Sequence, residues 1–96
     1  MNRYEVAVVL SSVLTDEARA SELELIKGYI TKYGGTVAEV DEWGKKKLAY
    51  EIRKETEGYF CFIKVDAAPE MAVELEKEMR LRNETVLRYL ILREGE

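Results

Sequence analysis

The sequence predicts an α+β fold with the strand and helix order βαββαβ. Two observations lead to this prediction. The chain has 96 residues, a length that suits a single domain (residues 1–96) with one modest hydrophobic core. Its apolar residues alternate with a period of two in four segments and recur at helical spacing in two others. With one Pro and six Gly, no linker-like stretch separates these segments.

The first strand and the first helix are predicted from periodicity and capping signals. Residues 3–10 alternate and are rich in Val, which is typical of a strand. Thr15 is a suitable N-cap residue, and apolar residues at helical spacing continue to Tyr33. The glycine pair that follows should end this helix, because Gly accepts the left-handed C-cap conformation.

The middle of the chain predicts two strands joined by a turn. Residues 36–52 favour a long or broken strand, and Gly44 within it predicts a bulge or bend. Residues 54–58 are polar and end in Gly, so we expect a loop or hairpin connection there. Residues 59–66 are strongly apolar, which favours a central strand.

The last third of the chain predicts a helix and a final strand. Pro69 suits the first turn of a helix, and Asn83 is a plausible stop. The expected apolar stripe of this helix consists of Ala68, Ala72, Leu75 and Met79. Residues 86–93 form the last predicted strand. The complete order is the ferredoxin-like pattern, with a four-stranded antiparallel sheet, two helices on one face and no cover on the other.

The composition excludes several kinds of active site. His is absent, and Cys occurs once, at Cys61. Zinc sites of the Cys/His type, Ser-His-Asp triads and Cys-His pairs therefore cannot be built from this chain. Cys61 lies inside an apolar run, so we expect a buried, unreactive thiol. We expect a protein that is not an enzyme and has no cofactor, no metal site and no small-molecule substrate.

The charge is distributed unevenly. The chain has 15 basic and 19 acidic residues, for a net charge of −4. Residues 43–54 nevertheless contain five basic residues and one acid, and residues 77–93 contain five basic residues and two acids. A basic patch on an acidic body attracts polyanions, because local potential acts within a Debye length. A solvated charged surface is the alternative interpretation of these runs.

The third strand was compared with the base-stacking motif of the commonest RNA binder that has this strand order. Gly58 and Tyr59 match the motif K/R-G-F/Y-G/A-F-V-x-F/Y, whereas the other five specified positions within residues 57–64 do not. Base stacking of that type is therefore unsupported. Phe60 and Phe62 are expected to contact the core or a partner instead.

The strongest pattern is the run from Trp43 to Lys54. Three consecutive lysines, Lys45, Lys46 and Lys47, follow the predicted bend. Lysines at a bend project in several directions and can follow a curving phosphate backbone. Trp43 and Tyr50 could pack against a ribose or a base, or could be structural.

Over nearly its whole length the chain resembles the bacterial small-subunit ribosomal protein S-six family. The resemblance rests on an acidic residue followed by Trp-Gly-basic-basic-x-Leu-Ala-Tyr, present here as residues 42–50. Further matching positions are Arg3-Tyr4-Glu5, Gly34-Gly35, Ile52, Lys54, Gly58-Tyr59, Asn83-Glu84 and Val86-Leu87-Arg88-Tyr89. The run Phe60-Cys61-Phe62 is bulkier than in common family members and carries a thiol.

The resemblance implies a structural role on the small ribosomal subunit. It implies binding to the central domain of small-subunit rRNA as a heterodimer with a neighbouring ribosomal protein, S-eighteen. The rRNA contacts that it implies are Arg3, Lys45, Lys46, Arg53, Lys54 and Arg88, flanked by Tyr4 and Tyr50. Lys47 lies outside the family's basic pair, and strand alternation would turn it away from Lys46.

Two other classes of function remain open from the residues alone. A ferredoxin-like domain can act as a homo-oligomeric regulator that binds a small ligand, in which case a concave pocket with convergent polar groups is expected. An enzyme on the same fold is the third possibility, and the absence of His disfavours it.

The location expected for the chain is the cytoplasm, on the ribosome. The longest uncharged run, residues 6–15, is far shorter than the roughly 20 apolar residues that span a membrane. The chain opens without a secretory leader, and its single Cys fits a reducing compartment.

Overall fold

A computed structural model describes residues 2–94 of the chain. Its elements are β1 (Asn2–Ser11), α1 (Asp16–Lys32), β2 (Thr36–Ile52), β3 (Glu55–Ala67), α2 (Pro69–Arg80) and β4 (Val86–Arg93). The strands form one antiparallel sheet in the order β2-β3-β1-β4. The predicted βαββαβ fold is confirmed, with β3 in the interior of the sheet as expected. Neither helix is both long and apolar enough to cross a bilayer.

The ends of α1 follow local capping rules. The Thr15 hydroxyl accepts a hydrogen bond of 3.1 Å from the Ala18 N–H, as expected for an N-cap. After the helix, Gly34 has a φ of +86° and donates its N–H to the carbonyl oxygen of Thr31 at 3.1 Å. The predicted glycine stop is therefore confirmed, and it orients the chain into β2.

The core lies between the helices and one face of the sheet. Alternation along β1 and β3 turns every second side chain towards the helices. The strand residues of this core include Tyr4, Val6, Val8, Leu10, Cys61, Ile63 and Val65. The helix residues include Leu23, Ile26, Ile30, Met71, Leu75 and Met79. Cys61 is 3% exposed, which confirms the buried thiol.

The apolar stripe of α2 differs from its prediction at one end. Ala68 is exposed because it is the N-cap residue and precedes the first helical turn. Met71 is fully buried instead, one turn before Leu75. The spacing of the stripe was predicted correctly, and its first residue was wrong.

The predicted connection between β2 and β3 is shorter than expected. Residues 55–58 belong to β3, and only Arg53 and Lys54 form the turn. Both turn residues have positive φ, 49° and 66°, which suits a two-residue hairpin turn. Because this tight turn keeps Ile52 opposite Glu55, strand pairing continues through residues that were predicted to be loop.

Gly44 forms the predicted irregularity in β2. Its φ is +81°, and the pairing register with β3 shifts between Glu42 and Gly44. One extra residue, Trp43, is accommodated there, which is the geometry of a bulge. The bulge bends β2, and a second register shift follows between Lys47 and Ile52. There the end of the β2–β3 hairpin curls over the face of the sheet that the helices leave open.

Candidate functional site

The three lysines follow the Gly44 bulge directly and are all exposed. The ladder pairs Lys45, Lys46 and Lys47 with Tyr59, Gly58 and Glu57. The ammonium group of Lys45 lies 5.6 Å from the centroid of the Tyr59 ring, on the side of the sheet that the helices cover. Alternation along β2 turns Lys46 to the other side, so the lysines present charge from both sides of the sheet.

The second basic pair lies at the hairpin tip. Arg53 and Lys54 occupy the two turn positions and are exposed. Lys46 pairs with Gly58 and Ile52 pairs with Glu55, so three residue steps of β3, roughly 10 Å, separate the two groups along the sheet. The cations therefore form two groups along one edge of the hairpin, one after the bulge and one at the turn.

Arg88 and Tyr50 are brought together by the curl of the hairpin. Arg88 lies on β4 opposite Val9 of β1. Its Nη1 donates a hydrogen bond of 3.1 Å to the Tyr50 hydroxyl. The two residues are 38 positions apart in sequence. This bond ties the hairpin to β4 across β1 and adds a sixth cation to the basic edge.

A carboxylate that sequence reasoning missed fixes the hairpin end on β1. Glu55 accepts hydrogen bonds from the hydroxyl groups of Ser11 and Ser12 and from the Ser12 N–H, at 2.8–2.9 Å. Burial alone would raise the pKa of Glu55, but these hydrogen bonds outweigh it and lower that pKa. The consecutive serines after the first strand were the available sequence signal.

Tyr4 lies elsewhere than its expected role requires. Its side chain is 6% exposed and belongs to the helix-side core, because β1 alternation places it with Val6 and Val8. The ring offers almost no surface to RNA or to a partner in the free chain. The expectation that Tyr4 flanks an RNA contact is corrected on this ground.

Arg3 lies at the opposite end of β1 from the hairpin tip. Its Nε and Nη2 donate to the two Asp66 carboxylate oxygens at 2.5 and 3.0 Å. This hydrogen-bonded pairing raises the pKa of Arg3 and lowers the pKa of Asp66. The structure therefore does not group Arg3 with the hairpin cations, and its contact with rRNA stays a prediction.

The open face of the sheet contains an apolar groove of about 380 Å³. Its apolar lining includes Ala7, Val9, Leu48, Ile52, Phe60, Phe62 and Leu90. Phe60 and Phe62 are half-buried here, outside the helix-side core. Of the polar side chains around the groove, Arg88 and Tyr50 bond to each other. The groove therefore suits an apolar partner better than a polar small ligand.

An acidic and aromatic region adjoins the groove. Trp43 is 54% exposed, and its ring centroid lies 4.7 Å from that of Phe62. The indole N–H donates to the Asp41 carboxylate at 2.9 Å. Asp41 and Trp43 line a cavity on this face, and Glu5 and Glu39 line it as well. The open face is thus acidic at one end and basic at the hairpin end.

Within residues 2–94, no group of three or more His, Cys, Asp or Glu side chains is arranged to hold a metal ion. The functional features of this part of the chain are surfaces: a basic edge, an apolar groove and an acidic region. Together with the fold they define the class of small proteins that bind other macromolecules.

Comparison with known proteins identifies the family. The family model for Ribosomal protein S6 matches residues 3–93, so the chain belongs to the ribosomal protein S6 family. Small ribosomal subunit protein bS6 from Caldanaerobacter subterraneus subsp. tengcongensis is 43% identical over 93 residues, which is 97% of each chain. The bS6 protein of Clostridium novyi is 42% identical over 92 residues, or 96% of each chain.

A solved structure agrees with this assignment. The crystal structure of 30S ribosomal protein S6 from Thermotoga maritima superposes with a TM-score of 0.90 at 28% sequence identity. The match covers 96% of this chain and 86% of that chain. The resemblance found in the sequence is confirmed: this is a protein of the small ribosomal subunit. Family membership favours the ribosomal hypothesis over the regulatory-domain and enzyme alternatives.

Proposed function

We propose that this chain binds the central domain of small-subunit rRNA through the basic edge of its β2–β3 hairpin. The observation that carries the proposal is the exposure of this edge on an otherwise acidic chain. Its members are Lys45, Lys46, Lys47, Arg53 and Lys54, joined by Arg88 and its hydrogen-bonded partner Tyr50. Cations concentrated on one edge direct a polyanion to that edge, because the acidic remainder repels it.

The mode of action is positioning rather than chemistry. Lysine and arginine contacts to phosphates fix the orientation of a protein on RNA without reading its sequence. Folded RNA is then recognised by shape and by backbone contacts. The two groups of cations, roughly 10 Å apart along the sheet, suit nearby phosphates along a curved backbone. No covalent step is part of this role.

The second half of the proposal concerns the protein partner. We infer that the neighbouring ribosomal protein S-eighteen docks on the open face, over the apolar groove. Leu90 and Leu92 are 47% and 48% exposed on this face, and a partner would remove their surface from water at roughly 25 cal/mol per Å². The acidic region around Glu5, Glu39 and Asp41 complements a partner segment that is both basic and apolar.

The RNA-binding proposal is tested by the salt dependence of affinity for a central-domain rRNA fragment. Each phosphate contact contributes roughly 0.7–0.9 to the slope of log K against log salt. Lys45→Ala with Lys46→Ala should lower the slope by about 1–2 and weaken binding to all RNA sequences. The free energy of unfolding should change by no more than about 0.5 kcal/mol for each substitution.

The matched control removes two lysines from α1. Lys27 forms an ion pair with Glu24 at 3.1 Å, and Lys32 lies over the Tyr33 ring. Lys27→Ala with Lys32→Ala changes the net charge equally but lies off the hairpin, so we expect a smaller loss. If the two double variants lose equal amounts of rRNA affinity and salt slope, binding depends on overall charge and not on the basic edge. That result would contradict the proposed site.

A further inference from the structure

A second cleft, of about 390 Å³, lies between the first turns of α1 and the bulge of β2. The Tyr59 ring forms part of its lining, with Arg19 on the helix side and Trp43 and Gly44 on the strand side. Arg19, Leu23 and Tyr59 place this cleft on the helix-covered side of the sheet, and Phe60 lines both it and the apolar groove. No contiguous motif predicts it as a whole, because its residues come from four separate elements.

Two cations from different elements lie against one aromatic ring that lines this cleft. The Cζ atom of Arg19 lies 4.3 Å from the Tyr59 ring centroid, and the Nζ atom of Lys45 lies 5.6 Å from it. Stacking on the ring holds the guanidinium plane in place, which lowers the entropy lost when it binds a ligand. Both cations lie within 5.6 Å of the same ring centroid, so an anion that contacts both would be stabilised by both charges.

The two cations are not neutralised by a buried acid. Arg19 pairs with Asp16 at 3.3 Å, but the Asp16 side chain is 88% exposed, and such pairs contribute little. Within residues 2–94, Lys45 forms no ion pair with an acidic side chain. Glu42 lines the far side of the cleft and would repel an anion there. The favourable position for an anion is therefore the end of the cleft where Arg19 and Lys45 meet.

The ligand chemistry that fits this end is a phosphodiester rather than a base. The Arg19 guanidinium already lies over the face of Tyr59, so that face cannot stack a base. A guanidinium fork binds two phosphate oxygens at once, and an ammonium group adds a point charge. Lys46, the next residue, projects to the other side of the sheet. A backbone held by Lys46 can therefore continue over the β2 edge to Arg19.

We propose that Arg19 is an rRNA phosphate contact, and that Arg19 and Lys45 together hold one phosphodiester on the helix side of the β2 edge. The inference rests on the proposed RNA-binding function and extends the basic edge from the hairpin onto α1. It commits to RNA as the source of the phosphate, because the cleft is continuous with that edge.

The test compares two cations on the same helix that both lie over a tyrosine ring. Arg19→Gln removes one charge and one ring contact, and so does Lys32→Gln, where the distance to the Tyr33 centroid is 5.3 Å. For a central-domain rRNA fragment at about 0.1 M salt, Arg19→Gln should weaken binding roughly five- to tenfold and lower the salt slope by about 0.7–0.9. Lys32→Gln should weaken it less than about twofold. Arg19→Lys should keep most of the salt slope of the unsubstituted chain.

Glu42→Gln provides a test of opposite sign. Removing the carboxylate from the far side of the cleft should strengthen RNA binding by about twofold and should leave the effect of Lys46→Ala unchanged. A weaker complex after Glu42→Gln, with the fold intact by circular dichroism, would contradict the position assigned to the phosphate.

Two results separate failure of this inference from failure of the proposed function. If Arg19→Gln equals Lys32→Gln while Lys46→Ala still weakens binding, the inference is overturned and the hairpin site stands. If neither Lys46→Ala nor Arg19→Gln has any effect, the proposed function fails as well. Inorganic phosphate at constant ionic strength should leave the Tyr59 ring resonances unchanged at millimolar concentration. Saturation by phosphate alone would overturn the assignment to RNA.

Discussion

Glu22 shows how one carboxylate can hold two distant segments together. Its side chain is 7% exposed and accepts hydrogen bonds from the Arg82 guanidinium, through Nη2 at 2.7 Å and through Nε, and from the Thr85 hydroxyl at 2.9 Å. The hydrogen bond from Arg82 outweighs burial, and with that from Thr85 it lowers the pKa of Glu22. The contact ties α1 to the connection between α2 and β4, so it stabilises the packing of both helices.

We predict that Glu22→Gln lowers the free energy of unfolding by about 1–3 kcal/mol at pH 7, because Arg82 loses its charged partner. Since the folded state depresses the Glu22 pKa, the stabilisation is full above the unfolded-state pKa of about 4.3. It is lost as the pH falls through the lower folded-state pKa. In denaturant unfolding, the free energy of unfolding should therefore fall less between pH 7 and pH 2 for the variant than for the unsubstituted chain.

Glu76→Gln is the matched control for this prediction. Glu76 pairs with Arg80 at 2.9 Å, but the two side chains are 51% and 67% exposed. An exposed pair one helical turn apart contributes at most about 0.5 kcal/mol. A loss as large as that of Glu22→Gln would show that burial is not what distinguishes the two pairs.

Cys61 is expected to be inert in the folded protein. Burial raises the pKa of its thiol to about 11, so about one thiol in a thousand is ionised at pH 8. Alkylation of the native chain by iodoacetamide should therefore be slow and should become fast in denaturant. Cys61→Ala should leave rRNA affinity nearly unchanged. Rapid alkylation of native protein, or a large loss of RNA binding with the fold intact, would contradict this account of the thiol.

At the scale of an element, the β2–β3 hairpin combines an unfavourable turn with a favourable charge. Arg53 and Lys54 both have positive φ, which costs a residue with a side chain roughly 1–2 kcal/mol. Two-residue turns of this kind prefer Asn-Gly, which adopts positive φ readily. The turn instead carries two cations at the most exposed point of the proposed RNA edge. Its sequence therefore suits binding better than stability.

We predict opposite changes in stability and binding when this turn is replaced. Arg53→Asn with Lys54→Gly should raise the free energy of unfolding by about 0.5–1.5 kcal/mol. The same variant should lose about 1–2 from the rRNA salt slope, because two phosphate contacts are removed. Thermal unfolding and RNA titration of one protein preparation measure both effects.

The Lys45→Ala and Lys46→Ala double variant provides the comparison, since it removes two charges from positions without positive φ. It should lower the rRNA salt slope without raising the free energy of unfolding. If the Asn-Gly turn destabilises the hairpin, the positive φ values carry no strain. If it leaves the slope intact, the tip does not contact RNA.

At the scale of the whole molecule, the two faces of the sheet have different roles. The helices cover one face and bury the core, whereas the other face leaves Leu90 and Leu92 about half exposed beside the apolar groove. The acidic and basic regions lie at different ends of this open face. A partner that covers the groove would contact Lys47, Tyr50 and Arg88, which line it. It would leave Lys45, Lys46, Arg53 and Lys54 free for RNA, so both contacts can form at once.

We predict that rRNA binding is tighter and more selective for the heterodimer with S-eighteen than for this chain alone. Leu90→Gln with Leu92→Gln should weaken the heterodimer at least about tenfold while changing the free energy of unfolding by no more than about 0.5 kcal/mol per site. Val73→Gln, at a position 56% exposed on α2, is the control and should leave the heterodimer intact. Calorimetry and RNA titration measure the two steps.

Equal rRNA affinity with and without the partner would count against cooperative assembly. If the Leu90 and Leu92 double variant still forms the heterodimer, the partner does not dock over the groove. Either result leaves the salt-slope test of the basic edge independent, because that test uses this chain alone.

The sequence by itself determined the order and most boundaries of the elements. Thr15 as N-cap, the glycine stop after α1 and the Gly44 bulge are local features, each set by backbone hydrogen bonds or φ preferences within a few residues. Period-two alternation also placed Tyr4 on the same face of β1 as Val6 and Val8, but only the tertiary structure showed that the helices bury this face. The resemblance to the ribosomal family was readable for the same reason, since its most specific motif is a contiguous run.

The tertiary structure alone decided how these parts meet. The bond between Arg88 and Tyr50, the clamp of Glu55 on Ser11, and the meeting of Arg19 with Lys45 on Tyr59 each join residues far apart in sequence. They depend on strand register, on the two-residue turn and on how far the bulge curls the hairpin. The periodicity of the sequence does not predict the register, the turn or the curl of the hairpin. It indicates on which side of its own element a side chain lies, and not which other element lies opposite.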